Sequence, residues 1–236
     1  MPKDNSHYEK DGVTYPRVTS IIAQVAKPAL IPWAAKCAAK SMYEIMMTGV
    51  REDPNAMISR AADAWKKESD AAKEIGSIVH AKINDYFMLG TPVSEMVLSV
   101  DAQEIRKATM AFISWAKDCN ARFLASEAQI FCDQKMRYAG TVDFIGNVDT
   151  AKKTGDLVVI DFKTDKRVYP ATAMQIAAYW HGLKNPKLKK GMCVRLDKET
   201  GEYEVKEYSL STLKKEYAKF SDLLRLWYHT KKIELG

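Results

Sequence analysis

Two aspartates and a lysine are the residues of this chain best placed to do chemistry. Asp143 lies in GTVDFIG, and Asp161 and Lys163 follow the apolar run LVVI as Asp-Phe-Lys. Strand interiors are costly places for charge. Residues two apart share a face of a strand, so Asp161 and Lys163 point one way while Ile160 and Phe162 point toward a core. A strand–turn–strand connection brings Asp143 close to Asp161. Two carboxylates at one point repel unless one is protonated or a cation bridges them. A hard divalent ion such as Mg²⁺ or Mn²⁺ is bound by such oxygens, and the Phe162 backbone carbonyl can add another. The Lys163 ammonium then stands beside whatever oxyanion that ion engages. There it can orient an attacking water, lower its pKa or stabilise phosphate oxygens. The residues alone leave a plainer reading open: an ion pair of Asp161 with Lys163, or of either with a neighbouring strand, that does no chemistry.

Such residues need a sheet to hold them. SEAQIFCDQKMRYAGTVDFIGNV reads as two strands with a turn near Asp133–Gln134, and LVVIDFKT reads as a third, reached through the turn-rich DTAKKTGD. ATAMQIAAYWHGL is helical, and Gln175 and Tyr179, four apart, share one of its faces. MCVRLDKETGEYEVKEYSL reads as a hairpin. A helix over about 211–228 follows, with Leu213, Tyr217, Phe220, Leu224 and Trp227 as its apolar stripe. Upstream, residues 1–12 read as a flexible leader. Helices are expected from an N-cap at Thr19 or Ser20, through IPWAAKCAAKSMYEIMM, over 57–75 and on to Gly90, and over about 100–122. The order predicts an α/β or α+β fold: a mixed sheet flanked by helices and preceded by a helical segment.

Composition narrows the classes. Lys and Arg total 36 against 30 Asp and Glu, a net charge of +6 that suits a polyanionic partner. The cations gather in KNPKLKK at 184–190 and in Lys152, Lys153, Lys163, Lys166 and Arg167. No apolar run approaches the roughly 20 residues of a membrane span. The polar start MPKDNSHYEKDG lacks the apolar region of a signal peptide. A cytoplasmic protein without a membrane partner is therefore expected. Cys37, Cys119, Cys132 and Cys193 are isolated, with no CxxC pair, so neither a zinc site nor an iron–sulfur cluster is expected. Asp149, Asp156 and Asp165 fall to turns or strand ends, and His7, His181 and His229 are given no role. No GxxxxGK[ST] phosphate-binding run is present.

Four short motifs stand in order on the expected elements: Gly76-Ser77-Ile78-Val79-His80 on a helix, Gly140-Thr141-Val142-Asp143 on a strand, Asp161-Phe162-Lys163 on the next, and Gln175-Ile176-Ala177-Ala178-Tyr179 on the helix after it. From Gly76 to Tyr179 the chain resembles the PD-(D/E)xK nuclease superfamily and, within it, the RecB-like exonuclease branch. VTSIIAQVAKPALIPWAAKCAAK is similar to the start of small phage-type and mitochondrial-genome-maintenance-like members. The scattered cysteines depart from the branch's iron–sulfur subgroup.

The resemblance implies a restriction-endonuclease-like core over 76–236 in a single nuclease domain. It implies that His80, Asp143, Asp161 and the Phe162 carbonyl hold one or two Mg²⁺ or Mn²⁺ ions. Lys163 then assists the attacking water, and Gln175 and Tyr179 lie near that lysine and the DNA phosphates. For the helical pair, packing of helix on sheet is the plainer alternative. Glu127, in SEAQIF, stands where related enzymes often carry an acid that helps the metal site or holds the lysine; a simple strand-entry carboxylate is the alternative. Ser77, Lys166, Arg167, Trp33 and Lys36 are the expected DNA contacts. Residues 30–75 carry Trp33, Tyr43 and Trp65 among lysines, a mix that can stack bases and track phosphates. Related exonucleases thread a single strand under a helical arch near this point; a helical layer with Trp33 and Trp65 as core is the alternative. The activity implied is a metal-dependent DNA exonuclease acting on single-stranded ends. It would serve recombination, repair or replication in a bacterial or phage-infected cell, beside a recombination or helicase partner. A structure- or sequence-specific endonuclease and a catalytically silent nucleic-acid-binding scaffold are the competing readings.

Overall fold

The computed structural model describes residues 7–49, 53–98, 102–150 and 153–231. Residues 1–6 of the expected leader, and Lys152 of the second cationic group, lie outside them. The chain packs into two compact units: Met1–Gln24 with Ile78–Gly236, and Val25–Ser77. The second unit spans the whole of the segment set off in the sequence at 30–75.

The larger unit begins with a two-stranded antiparallel hairpin, β1 (His7–Lys10) and β2 (Val13–Pro16). Residues 7–12 are therefore a strand and its turn rather than a leader. The turn is Asp11-Gly12, with φ of 53° and 73°, the left-handed pair that matches strand twist in a tight hairpin. A short helix α1 (Val18–Ile22) follows, with Arg17 rather than Thr19 or Ser20 at its N-cap.

The second unit holds α2 (Leu30–Met47), α3 (Pro54–Ala62) and the start of α4 (Ala64–Leu89). Asp53 starts α3 by accepting a bond from the Ala56 amide at 3.0 Å, with Pro54 at the first helical position. Cys37, Ile45 and Ala61 form its buried centre.

In the larger unit, α5 (Val93–Leu98) leads to α6 (Gln103–Asp118), whose Glu104 and Lys117 suit the helix dipole at each end. Five strands come next: β3 (Arg122–Cys132), β4 (Tyr138–Thr150), β5 (Lys153–Lys163), β6 (Lys190–Leu196) and β7 (Tyr203–Ser209), in that spatial order. The pair β5–β6 is parallel and the others are antiparallel. A parallel pair needs a crossover, and α7 (Pro170–Leu183) supplies it. Helix α8 (Leu210–Lys231) closes the described chain. The architecture is α+β, a mixed five-stranded sheet packed with helices. Both β4 and β5 run further than expected, so most of DTAKKTGD is strand, and α6 is shorter than 100–122. No described helix is long and apolar enough to cross a membrane.

Two cores hold the sheet. Phe162 of β5 and Phe144 of β4 meet Phe112 and Trp115 of α6 and Phe87 of α4; the Trp115–Phe162 ring centres are 5.2 Å apart and the Phe87–Phe144 centres 4.9 Å. Val159, Ile176, Tyr179, Cys193, Leu213 and Phe220 belong to a second core with α7 and α8. Truncating a ring such as Phe162 costs about 3–5 kcal/mol, the usual range for a buried aromatic. The motif residues therefore stand on strands whose other face is fixed by close-packed aromatics.

Candidate metal and phosphodiester site

The acids line up because of register. The β4–β5 pairing ends with Phe144 opposite Ile160, so the next step sets Asp143 opposite Asp161. The β3–β4 pairing runs Ser126↔Phe144 and Ala128↔Val142, which sets Glu127 opposite Asp143. Three neighbouring strands thus carry Glu127, Asp143 and Asp161 in one row. Glu127 has φ of 49°, an uncommon conformation for a residue with a side chain. Such departures cluster at functional sites.

Beyond the last β4–β5 pair, a side chain takes over from the backbone. The Phe162 N–H donates to Asp143 Oδ2 at 2.7 Å. Asp143 Oδ1 lies 3.5 Å from His80 Nδ1 on α4, and Glu127 Oε1 lies 4.0 Å from the same nitrogen. His80, Glu127 and Asp143 each offer a ligand atom, and these three atoms lie within 4.8 Å of one another. Asp161 stands outside that trio. Its Oδ1 accepts from Gln175 Nε2 at 2.7 Å, and its Oδ2 faces Lys163 Nζ at 2.7 Å. The same Gln175 nitrogen donates to the Tyr179 hydroxyl at 3.0 Å. Asp161 is wholly buried, and its Oδ2 accepts no hydrogen bond of good geometry among the described residues.

The electrostatics follow from crowding these groups away from water. Burial raises the Asp161 carboxyl; Lys163 opposes this and Asp143 adds to it, leaving it at about 6. Burial would raise Asp143 too, but His80, Lys163 and the Phe162 N–H outweigh it and hold it below the usual range. Burial works against the His80 charge, yet Asp143 beside it wins and lifts the imidazole to about 9. Lys163 is likewise disfavoured by burial and raised on balance by Asp161 and Asp143. Burial and Asp143 push Glu127 upward. A proton on His80 and the Lys163 ammonium offset two of the three carboxylate charges. The two carboxylates and the imidazole of the trio are of the kind that could hold a divalent ion.

Several expected residues stand together: His80, Asp143, Asp161, Lys163, Gln175 and Tyr179, with Glu127 joining His80 and Asp143. Phe162 enters through its N–H. Lys166 and Arg167, just past β5, are exposed; Lys166 lies 3.9 Å from Glu199 and Arg167 lies over the Tyr169 ring at 5.1 Å. Trp33, Lys36 and Ser77 belong to the second unit. There Trp33 is half-buried, Lys36 is exposed, and the Ser77 hydroxyl donates to the Lys73 carbonyl at 3.0 Å. Trp65 and Tyr43 are exposed, so Trp65 is not the core residue of the alternative reading. Lys190, the last residue of KNPKLKK, pairs with Asp156 at 2.9 Å and Glu207 at 3.1 Å.

Two neighbours of the site went unread. Tyr8 of β1 shares a 2.7 Å hydrogen bond with the Thr141 hydroxyl, and Cys193 of β6 sits directly across from Asp161. The Asp11-Gly12 pair was the available signal for the strand that carries Tyr8.

No family model matches the sequence, and no curated protein matches it. Among solved structures the chain is similar to the crystal structure of SSO0001, at 14% sequence identity over 63% of this chain and 74% of that one. The TM-score is 0.28, too low for the likeness to carry an argument.

Proposed function

We propose that this protein is a divalent-metal-dependent deoxyribonuclease, an exonuclease that hydrolyses phosphodiester bonds at single-stranded DNA ends. One observation carries the reading. A trio of His80, Glu127 and Asp143 offers ligand atoms within 4.8 Å of one another, on α4, β3 and β4, and β4 neighbours the strand that carries the Asp161–Lys163 pair.

His80, Glu127 and Asp143 would hold Mg²⁺ or Mn²⁺, with Asp161 and the Phe162 carbonyl available to it. The bound ion would lower the pKa of a water and offset charge on the phosphate. Lys163 presents its ammonium to that water or to a non-bridging phosphate oxygen. Gln175 fixes the Asp161 carboxylate, and Tyr179 fixes Gln175. Hydrolysis adds water at phosphorus and breaks one ester bond, leaving one hydroxyl and one phosphate end. Exposed Lys166 and Arg167, just past β5, suit a strand bound by its phosphates. Recombination, repair and replication all require such trimming, and the duplex would be opened by a separate protein.

End-labelled linear and circular single-stranded DNAs, incubated with Mg²⁺, Mn²⁺ or chelator, test the proposal. Linear DNA should be degraded only with metal, circles should stay intact, and Asp161→Ala should be inactive. Rapid cutting of circles would favour an endonuclease. No cleavage of any DNA by the wild type would favour a silent scaffold.

A further inference from the structure

We propose that Gly140 is a positioning residue that sets the Asp161 carboxylate through Tyr179 and Gln175; this rests on the nuclease reading above. Gly140 lies three residues before Asp143 on β4. Its φ is outside the left-handed region, so the demand for glycine there is for space. A Cβ at this position would stand 2.6 Å from Tyr179 Cε1 and 3.3 Å from Tyr179 Cδ1 on one side, and 3.3 Å from Val18 Cγ2 on the other. The backbone of β4 thus forms the floor of a slot between α1 and α7, and the Tyr179 ring fills it.

Neither wall gives easily. Tyr179 is 3% exposed and packed in the core with Ile176 and Val18. The strand is pinned on both sides of Gly140. Ala139 bridges to Arg17, the Tyr138 hydroxyl donates to the Ala178 carbonyl at 3.0 Å, and Thr141 shares its hydroxyl bond with Tyr8. A methyl group at 140 must therefore displace the tyrosine ring, by about 1 Å to restore van der Waals contact.

That displacement reaches the carboxylate in two steps. Cε1 adjoins the ring carbon that bears the hydroxyl, so the hydroxyl moves with it. Gln175 Nε2 has two hydrogens; one goes to Tyr179 and the other to Asp161 Oδ1. Both acceptors together fix the carboxamide. With Oδ1 held by Gln175 and Oδ2 facing Lys163, the Asp161 carboxylate has one orientation. Losing the Tyr179 bond frees Gln175 to rotate, and the carboxylate with it. Gly140 acts through position alone.

The test compares Gly140→Ala, Tyr179→Phe, Tyr179→Ala and Gly140→Ala/Tyr179→Ala with the wild type, all metal-free for NMR and melting. Gly140→Ala and Tyr179→Phe should both move the Gln175 side-chain amide resonances. With Mg²⁺, Gly140→Ala should lower kcat by about 10- to 100-fold, as small misplacements do, with KM for DNA unchanged. In the Tyr179→Ala background the added methyl should change melting temperature and kcat far less than in the wild type, because only the 3.3 Å contact with Val18 remains. If Gly140→Ala does not fold, the double variant should fold as well as Tyr179→Ala. Unmoved Gln175 resonances in a folded Gly140→Ala would overturn the proposal. So would a methyl cost in the Tyr179→Ala background as large as in the wild type. A wild type that cleaves no DNA removes the nuclease reading, and the resonances and melting temperatures still decide the placement of Gly140.

Discussion

Lys163 Nζ stands 2.7 Å from Asp161 Oδ2, two residues back on the same strand, where the acid is wholly buried and the lysine largely so. Lys163→Met keeps most of the volume and removes the charge. If the ammonium serves the reaction, DNA cleavage should fall by about 10²-fold or more. Mn²⁺ binding, measured by calorimetry, should persist, because His80, Glu127 and Asp143 are untouched. Unchanged cleavage would reduce the pair to an ion pair at a strand end.

The Gln175 amide donates at 2.7 Å to the wholly buried carboxylate of Asp161. Gln175→Glu is nearly isosteric but sets a second acid against Asp161. Gln175→Met removes the donor without adding charge. Thermal unfolding should show the Glu variant to be the less stable of the two near neutral pH, by about 1–3 kcal/mol for an uncompensated buried group. The gap should narrow as falling pH protonates the acids. Equal stability would mean that Gln175 faces solvent in solution.

Much of this site is legible in the sequence. LVVI announced a buried strand, and the two-residue spacing of Asp161 and Lys163 placed both on one face, as the ion pair bears out. The four-residue spacing of Gln175 and Tyr179 likewise put them on one face of α7, where one nitrogen of the former bonds the latter. What escaped was set by long-range packing. HYEK is too short and polar to read as a strand, and it is held by contacts such as Tyr8 to Thr141. The left-handed backbone at Glu127, beside Ala128, carries no local signal, because neither residue favours that conformation. The need for glycine at 140 depends on a tyrosine 39 positions away, visible only once α7 packs on β4.

Away from the site, Asp197 gives a pH test of the fold. It ends the β6 side of a tight turn, accepting from Arg195 at 2.9 Å and from the Glu199 and Thr200 amides at 2.8 and 3.1 Å. The Arg195 bond first, then the Glu199 amide, lower its carboxyl to about 2. A carboxyl depressed in the folded state stabilises above its unfolded pKa, about 4, and that contribution is lost as pH falls toward 2. Asp197→Asn should therefore cost about 1–2 kcal/mol at pH 7 in urea unfolding, after allowance for solvent screening. The difference should shrink steadily below pH 4. A difference that does not change between pH 7 and pH 3 would contradict this.

Lys166 and Arg167 are exposed just beyond β5. If they grip a DNA backbone, binding should weaken with salt, and each phosphate contact removed should flatten the log–log slope by about 0.7 for single strands. Lys166→Ala/Arg167→Ala, titrated with labelled single-stranded DNA in Ca²⁺ at several salt concentrations, should show that flattening. Identical slopes would place the DNA elsewhere.

Diffraction at the manganese absorption edge, from crystals soaked in Mn²⁺, addresses the central claim most directly. The account requires an anomalous peak at ligand distance, about 2.0–2.3 Å, from His80 and Asp143, with Glu127 or Asp161 completing the set. Asp143 and Asp161 turned apart, with no peak between β4, β5 and α4 at millimolar Mn²⁺, would contradict it.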